Sequence, residues 1–206
     1  MTGLQLRKRF MAFALARFHR SYERKVADRK RALFAGLSGR VLEIGPGTAP
    51  NLAYFPPGIH WIGIEPNPFM HAYARKKAAH TGISMDLRAG RGEHLDAEDA
   101  SVDAVISTLV LCSVADVEAT LREIRRVLQP GGRFLFMEHV AAPPGSRARR
   151  VQRLIRPVVR CLADGCCPDR ETGKAIETAG FSSLRYERFT LALPIVGPHI
   201  AGVATK

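Results

Sequence analysis

The run Glu43-Ile44-Gly45-Pro46-Gly47-Thr48-Ala49 is the stretch of this chain best equipped to hold a ligand. Two glycines one residue apart let a backbone turn approach a bound molecule with no Cβ in the way. Glu65 follows Gly45 by 20 residues. An acid at that distance, at the end of the second strand of a doubly wound sheet, grips the two hydroxyls of an adenosine ribose. A dinucleotide would use the same layout. The third glycine of its GxGxxG signature would fall at Pro50, however, and Glu43 beside the turn suits a pyrophosphate poorly. A ligand carrying an ammonium, a carboxylate and a sulfonium fits better.

These residues need elements that bring them to one edge. Residues 41–44 and 60–64 read as two short strands, the first running into the glycine turn and the second into Glu65. Residues 83–88, 102–107 and 133–138 read as three more, and 184–189 with 200–205 as a closing hairpin. A helix is expected over 69–80. Val117, Leu121, Ile124 and Leu128 fall on one helical face, which stops at Gln129-Pro130-Gly131-Gly132. A last helix is expected over 170–180. Strands alternating with crossover helices give a parallel sheet with helices on both faces. The expected fold class is therefore α/β: a doubly wound, mostly parallel, seven-stranded Rossmann-like sheet. One domain is expected over residues 1–206, with a basic helical cap at 1–38, a ligand-binding core at 39–140, a helical lid insert at 141–170, and a helix and terminal hairpin at 171–206.

The length of 206 residues allows one sizeable core and is short for two. The net charge of +12 is local: residues 1–40 hold 11 Lys and Arg, residues 147–160 hold six Arg, and the rest carries 14 bases against 17 acids. In the first segment Leu6, Phe10 and Phe13 form one helical stripe, and Leu15, Phe18 and Tyr22 another. Three readings stand for such basic amphipathic helices: a helix packed on the domain, an anionic membrane surface, or a nucleic-acid arm. The longest apolar run there, residues 10–16, is too short to span a bilayer, and no secretion signal is found. Cys112, Cys161, Cys166 and Cys167 make no CxxC pair, so a reduced, cytoplasmic protein is expected. No Cys/His group has zinc-ligand spacing, and no metal site is expected.

The stretches VLEIGPGTAPN (41–51), IGIEPNP (62–68), SVDAVISTLVLCSV (101–114) and LREIRRVLQPGGRFLFMEHV (121–140) together resemble the class I S-adenosylmethionine-dependent methyltransferases. TLVLCSV (108–114), EHV (138–140), DGCCPDRET (164–172), GPHIAG (197–202), and Tyr22 followed by KRALF (30–34), are similar to the branch containing the animal thiol S-methyltransferases. Members of that animal branch begin with a hydrophobic anchor this sequence does not contain, so membrane residence is not carried over. The resemblance implies S-adenosylmethionine as cofactor and S-adenosylhomocysteine as product. It implies that Glu43, Gly45, Pro46, Gly47, Thr48 and Asn51 border the methionine half. Glu65 would take the ribose hydroxyls with Pro66 and Asn67 lining that side. Gly92 and Glu93 would flank adenine, and Thr108 and Leu109 would lie beneath the sulfonium. Arg91 departs from the pattern, since many relatives carry an acid there.

The expected reaction is an in-line displacement at the methyl carbon, with a small-molecule thiol as the first acceptor. A thiol of ordinary pKa, near ~8.5, is a few per cent thiolate at neutral pH. The protein then has to align the partners and exclude water. Asp164, His139 and His199 are the candidates for a base or for orienting the acceptor, each also readable as a structural residue. Tyr22, Cys112, Cys166 and Arg170 are the expected substrate-side residues. Cys166 and Cys167 read as pocket walls or as buried small hydrophobes, Cys112 as core, and Arg170 as a tie from lid to carboxylate or as a surface residue. Trp61 is expected in the core. A membrane-borne quinone or phospholipid amine is the alternative acceptor, with the basic helices on an anionic surface. A non-catalytic nucleic-acid binder is the alternative of another class. The arms have few aromatics to stack bases, and Glu65 would repel phosphate, so no nucleic acid is expected. The oligomeric state is not legible.

Overall fold

Short aliphatic runs bounded by glycine and proline make the strands, and each reaches the sheet edge next to a ligand-facing loop. The structure, a computed structural model, describes residues 3–18 and 20–206, apart from the side chains at positions 4, 14–16, 18 and 20. The second stripe expected on the first helix, through Leu15 and Phe18, lies outside the described side chains. In chain order the elements are α1 (Gly3–Phe18), α2 (Arg20–Phe34), β1 (Arg40–Ile44), a short 3-10 turn (Pro50–Tyr54), β2 (His60–Ile64), α3 (Pro68–Thr81), β3 (Ser84–Arg88) and β4 (Val102–Thr108). There follow α4 (Val117–Val127), β5 (Leu128–His139), α5 (Arg147–Leu162), α6 (Thr172–Thr178), β6 (Ser183–Thr190) and β7 (Pro198–Thr205).

The seven strands lie in the order β3-β2-β1-β4-β5-β7-β6. The first five are parallel, and β7 runs antiparallel to both β5 and β6. The chain moves outward from β1 to β2 and β3, then returns to β4 on the other side of β1. That reversal between β1 and β4 opens the crevice in which such sheets bind ligands. Both faces are covered, as a parallel sheet requires. Leu42, Ile44, Ile62, Ile64 and Val105 pack with α4 on one face, and Val41, Trp61, Ala104, Ile106 and Leu135 pack with Phe34 and Leu37 on the other.

Caps set the helices that flank the crevice. Asn67 Oδ1 accepts from the Phe69 amide at 3.1 Å, Pro68 follows as the first helical residue, and Gly82 closes α3 in the left-handed region. Asp116 caps α4 by accepting from the Ala119 amide at 2.8 Å. Two boundaries differ from expectation. β5 starts at Leu128 rather than 133, because Leu128 pairs with Val102 before the register slips and resumes at Ala104 with Arg133. Pro130 withholds a donor and Gly131 takes φ +76°, so the slip falls between them and the regular ladder. α6 spans 172–178 rather than 170–180, since Arg170 is drawn out of the helix by contacts described below.

α5 lies mostly on the surface, with five of its six arginines exposed. Its buried residues are Arg149 and Gln152. Arg149 pairs with Glu171 at 2.8 Å, and Gln152 accepts from the Ala142 amide and donates to the Ile195 carbonyl. The apolar residues Val151, Leu154, Val158 and Leu162 face outward, Leu154 at 80% exposure. Leu6, Phe10 and Phe13 of α1 are exposed too. Arg7 joins the two helices by donating to the Cys161 carbonyl at 2.8 Å. No helix among the described residues is long and apolar enough to cross a membrane.

Candidate active site

The crevice is built outward from β1. Glu43 is 1% exposed, and its carboxylate accepts from Asn51 Nδ2 at 2.8 Å and from Trp61 Nε1 at 2.9 Å. Burial pushes the Glu43 carboxyl up to about 7, against the pull of those two donors and of the Lys30 charge. Asn51 also donates to Thr108 Oγ1 at 3.0 Å, which locks the ends of β1 and β4 together. Gly45 and Gly47 have φ of +56° and +58°. A Cβ at Gly45 would come within 2.8 Å of Val110, whereas one at Gly47 would meet nothing within 4 Å. Gly45 therefore lets the 109–114 loop close against the turn, and Gly47 faces open space. Pro46 and Thr48 complete that turn, and Leu109 holds φ +57° with its amide donating to the Met137 carbonyl.

Glu65 ends β2. Its two carboxylate oxygens accept from the Gly47 amide at 2.9 Å and the Asn67 amide at 2.8 Å. Burial raises its carboxyl above the ordinary range, and the nearby Asp164 charge adds to this. Pro66 offers its carbonyl to Lys8, while Asn67 Nδ2 donates to the Lys8 carbonyl. The N-terminal helix α1 thus sits directly on the loop that follows Glu65. On the adenine side Gly92 is tightly packed: a Cβ there would lie 2.9 Å from Thr120 and 3.2 Å from Ile44. Glu93, the residue expected to flank adenine with Gly92, follows directly. Glu93 Oε1 accepts from the amides of Ala115 and Asp116 at 2.6 and 3.3 Å, satisfying the start of α4.

The second half of the crevice lies beyond β4 and β5. Glu138 is buried, with Oε1 accepting from Ser107 Oγ at 2.6 Å and the Val110 amide at 3.2 Å, and with Oε2 unpartnered among the described residues. Burial raises its carboxyl. His139 is buried with Nε2 at 3.2 Å from Cys166 Sγ and Nδ1 unpartnered among the described residues. The donor atoms of Cys112, His139 and Cys166 all lie within 4.8 Å of one another. Cys112 and Cys166 are buried, as expected, and stand side by side with His139. The absence of zinc-like spacing in sequence did not anticipate this grouping. A hydrogen bond to Cys166, together with burial, pushes the Cys112 thiol well up, and the same bond pulls the Cys166 thiol down.

Tyr22 reaches this group from α2, its ring 5.9 Å from that of His199. Burial, with Glu138 and Glu23 nearby, holds its hydroxyl far above the usual phenol range. His199 stacks on Phe189 at 5.3 Å and lies 6.4 Å from His139. Its Nδ1 donates to the Gly197 carbonyl at 2.8 Å, and burial lowers its pKa, so the ring is neutral at pH 7. Two expectations are corrected here. Arg170 ties no carboxylate among the described residues; its Nη1 donates to the carbonyls of Leu111 and Val114, each at 2.7 Å, clamping the loop that carries Cys112. Asp164, half-exposed at φ +49°, ion-pairs with Arg7 at 3.8 Å and acts on Glu65, so it stands over the ribose side rather than within the His139 group.

Three contributors were not singled out from the sequence. Trp61 is in the core as expected but also donates to Glu43. Glu138 is an acid ending a hydrophobic strand, a legible signal that was not used. Lys30 is fully buried, donating to Glu23 Oε1 at 2.6 Å, while Tyr54 donates to Glu23 Oε2 at 3.1 Å. Its position four residues from both Val26 and Phe34, on the inward face of α2, was its signal.

The methyltransferase domain family matches residues 42–136. The chain is 39% identical over 212 residues to human thiol S-methyltransferase TMT1B, covering 97% of this chain and 87% of that one. It is 41% identical over 213 residues to human thiol S-methyltransferase TMT1A, with the same coverage. Among solved structures, a SAM-dependent methyltransferase from Thermotoga maritima superposes with a TM-score of 0.66 at 22% identity, covering 95% of this chain and 99% of that one.

Proposed function

This chain belongs to the S-adenosylmethionine-dependent methyltransferase family, and from that premise we propose that it methylates the sulfur of small-molecule thiols. Similarity to two human thiol S-methyltransferases along almost the whole chain is the observation that carries the choice of acceptor. The crevice fits the cofactor: Gly47 faces open space, with one buried carboxylate, Glu65, beside it and another, Glu43, behind. Bound there, S-adenosylmethionine supplies an electrophilic methyl group on a sulfonium.

Glu43, with Asn51, Gly45, Pro46 and Thr48, holds the methionine end, where a carboxylate answers an ammonium. Glu65 takes the ribose hydroxyls, with Pro66 and Asn67 beside it, and Gly92 presents backbone to adenine. Thr108 and Leu109 form the floor beneath the reacting carbon. Tyr22, Cys112, Cys166, His139 and His199 surround the acceptor, keep water out and orient its sulfur. Burial of this group favours a step in which opposite charges are lost as thiolate and sulfonium meet.

The exposed apolar and basic residues of α5 favour a peripheral seat on an anionic membrane for a cytoplasmic enzyme. The outward Val151, Leu154, Val158 and Leu162, with Leu6, Phe10 and Phe13 of α1 nearby, enter the interface, and the arginines of α5 meet anionic headgroups. Apolar thiols would then be met at the surface into which they partition. The test is a methyl-transfer assay across thiols, phenols, amines, quinols and phosphatidylethanolamine, read by mass. S-methyl products from soluble thiols without lipid are expected. Transfer confined to a quinol or a lipid amine overturns the thiol reading.

A further inference from the structure

Cys112, His139 and Cys166 come from the loop after β4, the end of β5 and the turn after α5. We propose that they form a binding site for a divalent, thiophilic transition-metal ion of the zinc class, whose remaining position takes the sulfur of the acceptor. This rests on the thiol reading above and supplies what that reading lacks, a way to hold the acceptor as thiolate at neutral pH.

Two thiols and one imidazole are the donor set that suits zinc. Bond lengths of about 2.3 Å to sulfur and about 2.0–2.1 Å to nitrogen place tetrahedral donors roughly 3.3–3.8 Å apart. Here His139 Nε2 is 3.2 Å from Cys166 Sγ, and all three donor atoms fall within 4.8 Å of one another. Small side-chain adjustments suffice to reach the required geometry. All three residues are buried, which limits competing water ligands. Glu138 precedes His139 at the end of β5, is fully buried, and has an Oε2 with no hydrogen-bond partner among the described residues. Three protein ligands is also the number that leaves a zinc ion one position for substrate, whereas structural sites close with four.

At that position the acceptor thiol binds through sulfur and its S–H proton passes to solvent, leaving a thiolate. Free in solution at neutral pH the same thiol is only a few per cent ionised. Arg170, by clamping the carbonyls of Leu111 and Val114, holds Cys112 in register with the other two ligands.

The experiment uses the full chain, stripped with a chelator and titrated with Co2+. One equivalent is expected to give the strong visible absorption of tetrahedral Co2+ and a near-ultraviolet thiolate band, both displaced by Zn2+. Cys112→Ser and Cys166→Ser should each abolish the spectrum, and Cys161→Ser, at an exposed cysteine, should keep it. Should the serine variants not fold, alkylation of the unaltered chain decides: Zn2+ should protect Cys112 and Cys166 and leave Cys161 reactive. 2-Mercaptoethanol should shift the visible bands, and zinc-stripped protein should lose at least about tenfold in thiol methylation at pH 7, regained on adding Zn2+. A weak octahedral spectrum, a spectrum that survives both serine variants, or no alkylation protection overturns the site. An intact site with no thiol-induced shift, or full activity after stripping, overturns its role and leaves thiol methylation standing. A thiol-shifted spectrum without any S-methyl product supports the site and overturns the proposed function instead.

Discussion

Replacing Trp61 by phenylalanine should move the pH dependence of cofactor binding upward without touching any residue that faces the ligand directly. The indole N–H donates to Glu43 Oε2 at 2.9 Å, and the carboxyl, already pushed up to about 7 by burial, depends on that donor to ionise. A hydrogen bond to a charged group is worth about 1.5–3 kcal/mol, and one pKa unit corresponds to about 1.4 kcal/mol. Losing it raises Glu43 by roughly one to two units. If the carboxylate form receives the ammonium of the cofactor, wild-type affinity climbs through pH ~7, whereas the variant climbs through about 8–9. At pH 7 the variant then binds about 5- to 50-fold more weakly, and above pH ~9.5 the two converge. Stability follows the same linkage. The folded pKa lies above the unfolded one, so the folded state binds the extra proton and stability falls as pH rises from about 4.5 to about 7. In the variant the fall continues for another one to two units. Calorimetric titration of S-adenosylmethionine from pH 6 to ~9.5 reads the first effect, and denaturant melts read the second. A loss of affinity by the same factor at every pH would refute the reasoning, because it would mean that the indole acts by packing alone.

Glu65→Ala should weaken S-adenosylmethionine by an order of magnitude or more, since hydrogen bonds from ribose hydroxyls to a carboxylate are charge-assisted; unchanged calorimetric affinity sinks the ribose assignment. Lys30→Met removes one partner of a buried ion pair, and denaturant melts should register a loss of about 3 kcal/mol, part of it recovered when Glu23→Gln is added. A loss under ~0.5 kcal/mol would show that the pair does not hold α2 in place. Leu154→Asp with Val158→Asp, both at exposed positions, should abolish sedimentation with phosphatidylserine vesicles and leave turnover on soluble thiols unchanged. Retained vesicle binding would remove the α5 face from the membrane reading.

The parts of the site legible in the sequence are those set by local rules. The glycine turn, the acid ending β2 and the apolar face of α4 each follow from spacing within one element and its neighbour, so their positions could be read in advance. The Cys112, His139 and Cys166 group could not be, because its members share no local spacing and meet only where loops after β4, β5 and α5 converge. Arg170 went astray for a related reason. It is a long side chain of the right charge for an ion pair, and it is claimed by backbone groups that only the tertiary path of the chain brings near. In α5 the six arginines were visible, but that Arg149 and Gln152 are the residues turned inward depends on Glu171, Ala142 and Ile195, which accept from or donate to them.

Trp61 is the only tryptophan in the chain, fully buried and one hydrogen bond from the carboxylate at the methionine end of the crevice. Its emission therefore arises from one dry location, free of the averaging that several indoles impose. A protonated carboxyl quenches a neighbouring indole more strongly than a carboxylate does, so the intensity tracks the ionisation of Glu43 and whatever shifts it. The unlabelled protein carries its own optical gauge of that end of the crevice, readable on the stopped-flow timescale while ligands enter and leave.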